Sequence, residues 1–141
     1  MRSRILSVLV AASIMVCLSG CGRQDIYPVK GKLIYSDGTP AAELKGSRVI
    51  FEGSGPDGRN YSAEGEIDGN GHFVLTTTKE GDGAVIGKNR VLIERRMIDP
   101  EHPAPRVIHE RFERFESSGI ELEVEKKKNE FTITVERVEA K

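Results

Sequence analysis

From residue 27 onward, apolar and polar residues alternate with a period of two, the spacing of strands rather than helices. In the stretch YSAEGEID, Tyr61, Ala63, Gly65 and Ile67 fall on one side, and Ser62, Glu64, Glu66 and Asp68 on the other. That is a strand with one face buried and one wet. The same alternation turns Phe73 and Leu75, then Val91 and Ile93, inward. It does so again for Ile120, Leu122 and Val124, and for Phe131, Ile133 and Val135. Nearer the front, Val29 and Leu33, then Val49 and Phe51, supply inward positions. Asp37-Gly38, Asp57-Gly58 and Asp68-Gly69-Asn70-Gly71 separate the runs with turn chemistry that tolerates positive φ. KKKN, residues 126–129, joins the last two runs closely enough for a hairpin. About seven short strands without long helices predict an all-β fold, a sandwich or a barrel. The expected form is a seven-stranded antiparallel β-sandwich.

Residues 97–118 break the alternation. They hold three prolines and then Ile108, Phe112 and Phe115, spaced i, i+4 and i+7. The spacing predicts a loop followed by one or two helical turns on the sandwich edge. Such a segment either plugs the end of the core or offers a partner-binding edge.

Composition sharpens this picture in two places. Trp is absent and aromatics make up only 6%, so the core must be mostly aliphatic. The length of 141 residues suits one domain, large enough for a core without covalent staples.

The alternation does not reach the first twenty residues. MRSR is a basic start, and ILSVLVAASIMVCL, residues 5–18, is an apolar run too short for a membrane span of about 20 residues. Basic start, apolar middle and small residues at the end form a signal peptide over residues 1–20. Leu18-Ser19-Gly20-Cys21 resembles the bacterial lipobox. That resemblance implies cleavage before Cys21, attachment of a diacylglycerol to its thiol, and often acylation of the new amino group. The thiol is needed because sulfur is the nucleophile that takes the lipid. Several acyl chains, at about 0.8 kcal/mol per buried methylene, hold a protein far better than one. The competing reading is an ordinary secretory signal with a chance cysteine. Cys17 would leave with the signal, so the mature domain would carry no free thiol and no disulfide. Residues 21–26 then read as the lipidated cysteine and a short tether, and 27–141 as the domain. In lipoproteins with such a signal, Asp after the cysteine often marks inner-membrane retention, so the resemblance together with Gly22 weakly favours the outer membrane. The expected location is the cell envelope, membrane-anchored through Cys21 and facing the periplasm or the exterior.

Taking Arg2 and Arg4 from the 21 basic residues leaves 19 against 22 acidic ones, a net charge of −3. A mildly acidic domain argues against nucleic acid as a partner, since phosphate binding needs a basic face.

One further pattern spans the domain. Val29, Gly31 and Leu33 form V-x-G-x-L, Asp37, Gly38 and Pro40 form D-G-x-P, and Val49 and Phe51 form V-x-F. Asp68, Gly71 and Phe73 complete D-x-x-G-x-F. Together these resemble the carboxypeptidase regulatory-like domains, which have a transthyretin-like, or prealbumin-like, sandwich. GDGAVIGK at 81–88 and the closing SSGIELEVEKKKNEF resemble, more narrowly, small bacterial lipoproteins of this type. ELKGS at 43–47 and the charged HERFERFE at 109–116 depart from that pattern. The resemblance implies a non-catalytic accessory or binding module; separately, no cofactor and no metal are expected. It hands over no catalytic residues.

Several strings imitate catalytic motifs. HERFE, residues 109–113, matches the first half of a zinc-protease motif, but Glu113 stands where the second His belongs. The other histidines, His72 and His102, fall in a strand and in a proline-rich loop. DGNGH, residues 68–72, resembles the start of a calcium loop, but Lys79 occupies the place of the closing Glu. In EGDGAVIGK, the spacing from Gly83 to Gly87 is one residue short of a phosphate-binding loop, and Asn89 replaces the Ser or Thr. Its glycines are expected to let two backbone segments approach closely. Glu121, Glu123 and Glu125 alternate on a wet face, and the lysines of 126–128 read as a solvated turn.

The function expected is therefore a lipid-anchored envelope module that binds a protein or glycan partner. The alternatives are a structural subunit that self-associates and a hydrolase built on the 97–118 loop with His109 and Glu110 or Glu113. A concave site gathering His109 with other polar groups would favour the hydrolase.

Overall fold

The computed structural model describes residues 25–138. The signal peptide and the lipobox positions Leu18, Ser19, Gly20 and Cys21 lie outside the described residues. The described chain is all-β, in several sheets. Its strands are β1 (Ile26–Tyr27), β2 (Val29–Tyr35), β3 (Arg48–Ser54), β4 (Asn60–Glu66), β5 (His72–Val74) and β6 (Ala84–Val85). They continue as β7 (Gly87–Glu94), β8 (Met97–Asp99), β9 (His102–Pro103), β10 (Ile120–Val124) and β11 (Asn129–Val135). Short 3₁₀ turns span Ala42–Leu44 and Glu110–Glu113, and one helical turn, α1, spans Phe115–Ser118.

A four-stranded sheet runs β10-β7-β3-β4, and a three-stranded sheet runs β11-β2-β5. The pairs β1-β6 and β8-β9 form two small sheets of their own. The inward positions expected from the alternation are those that fill the core: Val29, Leu33, Val49, Phe51, Phe73, Leu75, Val91, Ile93, Val124, Ile133 and Val135 are all buried. Ile120, Leu122 and Phe131 are half-buried against them. Phe51 on β3 lies 6.3 Å from the ring of Phe73 on β5 and 6.1 Å from that of Phe131 on β11. These contacts join the two larger sheets across one cluster that lies wholly within residues 27–135. The Asp-Gly turns also form as expected, with Gly38, Gly58 and Gly71 at positive φ.

Two expectations need correction. The strands are not all antiparallel, because β11 pairs with β2 in parallel from Asn129↔Val29 to Val135↔Tyr35. Residues 126–129 do not close a hairpin either, since β10 pairs with β7 and β11 pairs with β2. The cause is visible at Asn129. Its backbone N–H donates to the Pro28 carbonyl at 2.8 Å, and its buried side chain bonds Glu125 and Lys127 backbone groups at 2.7–3.0 Å. That bracket carries the chain across from one sheet to the other instead of folding it back.

The 97–118 segment is more ordered than a loop. Met97–Asp99 and His102–Pro103 pair as a small exposed hairpin. Ile108 is extended and bridges Arg137, Phe112 sits in the 3₁₀ turn, and Arg114 is extended again. The i, i+4, i+7 spacing therefore does not mark one helical face. Ile108 and Phe112 are both buried in the one hydrophobic cluster, the first from extended backbone and the second from a 3₁₀ turn.

Candidate functional site

A surface groove lies over the segment that carries the buried Ile108 and Phe112. His109 N–H donates to the Glu136 carbonyl at 3.0 Å, and Val138 N–H to the Val107 carbonyl at 3.1 Å. These bonds stitch residues 107–109 to the chain just beyond β11. Phe112 pins the following turn, and Gly119, left-handed at φ 67°, stops α1 and releases the chain into β10. The polar side chains between these anchors face outward and line a groove of about 280 Å³: Arg106, His109, Glu110, Arg111, Glu113, Arg114 and Ser117.

The electrostatics of the groove centre on Glu113, whose side chain is only 20% exposed. Arg95 Nε lies 2.8 Å from its carboxylate and Arg106 Nε 3.0 Å from it. That carboxylate makes the Arg106 guanidinium still harder to deprotonate. Arg106 also reaches Glu110 at 3.4 Å. Arg111 lies over the Phe112 ring at 4.2 Å, pairs with Glu136 at 3.0 Å and donates to the Ser118 carbonyl at 3.1 Å. Arg114 is exposed and has no ion-pair partner among the described residues. Four arginines around three carboxylates leave one cation in surplus, so the groove suits an acidic group of a ligand.

The histidine is positioned for donation. His109 Nδ1 accepts from Arg111 N–H at 3.2 Å, which places the proton of the neutral ring on Nε2. Ser117 Oγ donates to the Arg111 carbonyl at 2.8 Å. Serine and histidine are thus each bonded to the backbone of Arg111 and not to one another. Glu113, the acid in the place of a second zinc ligand, is engaged by two arginines.

The structure brings His109, Glu110 and Glu113 together and leaves the other two histidines elsewhere. His72 lies 4.0 Å from Asp68, and His102 lies 2.8 Å from Asp99 in the exposed hairpin. Among the described residues no three His, Cys, Asp or Glu side chains converge to hold a metal ion. The 68–72 string forms a turn: Asp68 Oδ1 accepts from the N–H groups of Asn70 and His72 at 2.8 and 2.9 Å. In the glycine-rich string, Asp82 accepts from the N–H groups of Thr77, Thr78 and Lys79 at 2.7–3.0 Å. Burial alone would raise its pKa; those backbone donors win and hold it below the usual carboxylate range. Gly83 provides the close approach expected of these glycines. A Cβ there would lie 2.7 Å from Pro28 Cα and closer still to the Tyr27 carbonyl.

Sequence reasoning passed over Arg106, Arg111 and Arg114. The usable signal was their spacing around HERFE, which sets Arg106 four residues before Glu110. A scan of protein-family models and searches of curated proteins and of solved structures found no match to this chain.

Proposed function

We propose that this chain is a lipid-anchored, non-catalytic binding module of the cell envelope. In this reading the four- and three-stranded sheets are a seven-stranded sandwich of the transthyretin-like type, and Cys21 carries the lipid. The observation that supports the reading is position: the first strand, β1, starts at Ile26, five residues after the lipobox cysteine, and is already paired with β6. The groove over residues 106–117 supports a binding role, with Arg114 and His109 offering donors to acidic groups on a protein or glycan partner. Membrane fractionation of cells making wild type or Cys21→Ser tests the anchor. The variant should leave the membrane fraction, and equal membrane association of the two would sink the reading. Crosslinking of the native protein through the groove should then capture the partner, and Arg114→Glu should abolish capture.

One observation favours a second reading, a hydrolase: the groove does gather His109 with Glu110, Glu113 and Ser117. Ester or peptide hydrolysis by the purified protein, lost in His109→Ala, would establish it in place of the first.

A further inference from the structure

The two larger sheets have one flank sealed and the other open. On the sealed flank, Glu64 of β4 and Thr76, just past β5, exchange backbone hydrogen bonds at 3.0 and 2.9 Å. The opposite flank carries β10 and β11, each the last strand of its sheet among the described residues. Ile120, Leu122 and Phe131, all half-buried, belong to these two strands. Bonds along β11 fix which backbone groups face outward. Asn129 N–H donates inward, to the Pro28 carbonyl beside β2. The Glu136 carbonyl and Val138 N–H, just past the strand, bond outward to His109 and Val107. Direction alternates residue by residue, so the N–H and C=O groups of Glu130, Thr132 and Thr134 face outward as well. None of these groups has a hydrogen-bond partner among the described residues.

Open edges invite pairing, and charge is one guard against it. β10 has that guard: a second β10 laid antiparallel against it sets the carboxylates of Glu121 and Glu123 opposite one another. β11 is self-complementary instead. A two-fold axis at Thr132 sets Thr132 opposite its own copy and Glu130 opposite Thr134, so all three outward residues of each chain find partners and no like charges meet. On the inner face the same register sets half-buried Phe131 opposite Ile133 of the second copy, an aromatic ring beside a β-branched chain. The neighbouring registers fail. An axis at Glu130 opposes two carboxylates, and an axis at Thr134 needs the Glu136 carbonyl, which His109 already occupies. Axes at Phe131 or Ile133 leave one outward residue without a partner inside the strand.

We propose that the outer edge of β11 is a docking surface for a second copy of this chain, which pairs with it antiparallel about a two-fold axis at Thr132. The two three-stranded sheets then run on as one sheet of six strands. The proposal goes beyond the binding reading and needs neither the lipid anchor nor the groove.

The test crosslinks thiols in cells making the full chain, with bismaleimidoethane as the reagent and denaturing gels as the readout. The unaltered chain, with its native Cys17 and Cys21, sets the background. Thr132→Cys places two thiols across the axis, where facing Cα atoms lie about 5.5 Å apart, and should give a covalent dimer. Thr134→Cys, exposed on the same strand, sets its two thiols about 14 Å apart along the strands and should stay at background. Adding Glu130→Cys to Thr134→Cys brings unlike positions face to face and should restore the dimer. Thr132→Pro in that double variant removes the two central N–H donors without touching a bond to β2, and should cut dimer yield roughly 30-fold. A cooperative urea transition shows that the proline variant is folded. A monomeric Thr132→Cys chain, equal crosslinking through Thr132→Cys and Thr134→Cys, or a folded proline variant that crosslinks like the double variant overturns the proposal.

Discussion

Gly83 is the position where a single methyl group should do most damage. It lies at φ 108°, a backbone conformation that side-chain-bearing residues reach at a cost of about 1–3 kcal/mol. Its Cβ position is also occupied by backbone, that of Tyr27 and Pro28. Relief requires the two segments to part by about 1 Å or more, given the 3.5–4.0 Å at which carbon atoms pack. Parting them threatens the Ile86-to-Asp25 bond at 2.8 Å, the Gly83-to-Leu75 bond at 3.1 Å and the short β1-β6 ladder. At about 1 kcal/mol per hydrogen bond, Gly83→Ala should cost about 4–5 kcal/mol in all. Gly87 is the internal control: its φ is 99°, but a Cβ there meets nothing within 4 Å. Gly87→Ala should cost only the conformational part, about 1–3 kcal/mol. Urea unfolding followed by circular dichroism measures both. With a slope of about 1.5 kcal/mol/M, the Gly83 variant should lose about 3 M in midpoint, or show no cooperative transition, and the Gly87 variant about 1 M. Equal losses at the two positions, or a Gly83 variant within 1 M of wild type, would refute the argument from close approach.

Two other predictions concern the core and its pH response. Phe51→Ala removes the ring that meets both Phe73 and Phe131, and should cost about 3–5 kcal/mol in the same urea assay; Phe131→Ala, at a half-buried site, should cost less. Burial, with donation to Glu43 at 2.7 Å, pushes the Tyr35 hydroxyl up to about 12. An unfolded tyrosine ionises near 10, so this contribution to stability is whole below about pH 10 and is lost as pH rises through 12. Absorbance titration at alkaline pH should show one tyrosine ionising last, and Tyr35→Phe should remove that step and flatten the stability loss between those limits.

The strands were legible because each shows one face to water and one to the core, a constraint that every second residue must obey. Tyr61 to Ile67, Val91 to Ile93 and Phe131 to Val135 carry it without ambiguity. Strand pairing was not legible in the same way. Alternation says which face is buried but not which neighbour supplies the hydrogen bonds. The bracket at Asn129, which separates β10 from β11, depends on a carbonyl about a hundred residues upstream. The groove was half legible. HERFE announced its histidine and acids, yet the local string could not reveal that Glu113 would meet Arg95 or Arg111 meet Glu136, because those partners arrive from the chain just beyond β7 and just beyond β11. In the 97–118 segment, Ile108 and Phe112 both reach the one hydrophobic cluster, but from an extended residue and a 3₁₀ turn rather than from one helical face.

The parallel pairing of β2 with β11 has a consequence for how the molecule is made. A ribosome delivers residues 29–35 about a hundred residues ahead of their seven-residue partner, 129–135. Until then the growing polypeptide has one sheet lacking a border and the ring of Phe51 lacking one of its two companions. Completion of this sheet must wait until residues 129–135 have been made, and any chain that stops before residue 129 is left with an open hydrophobic flank.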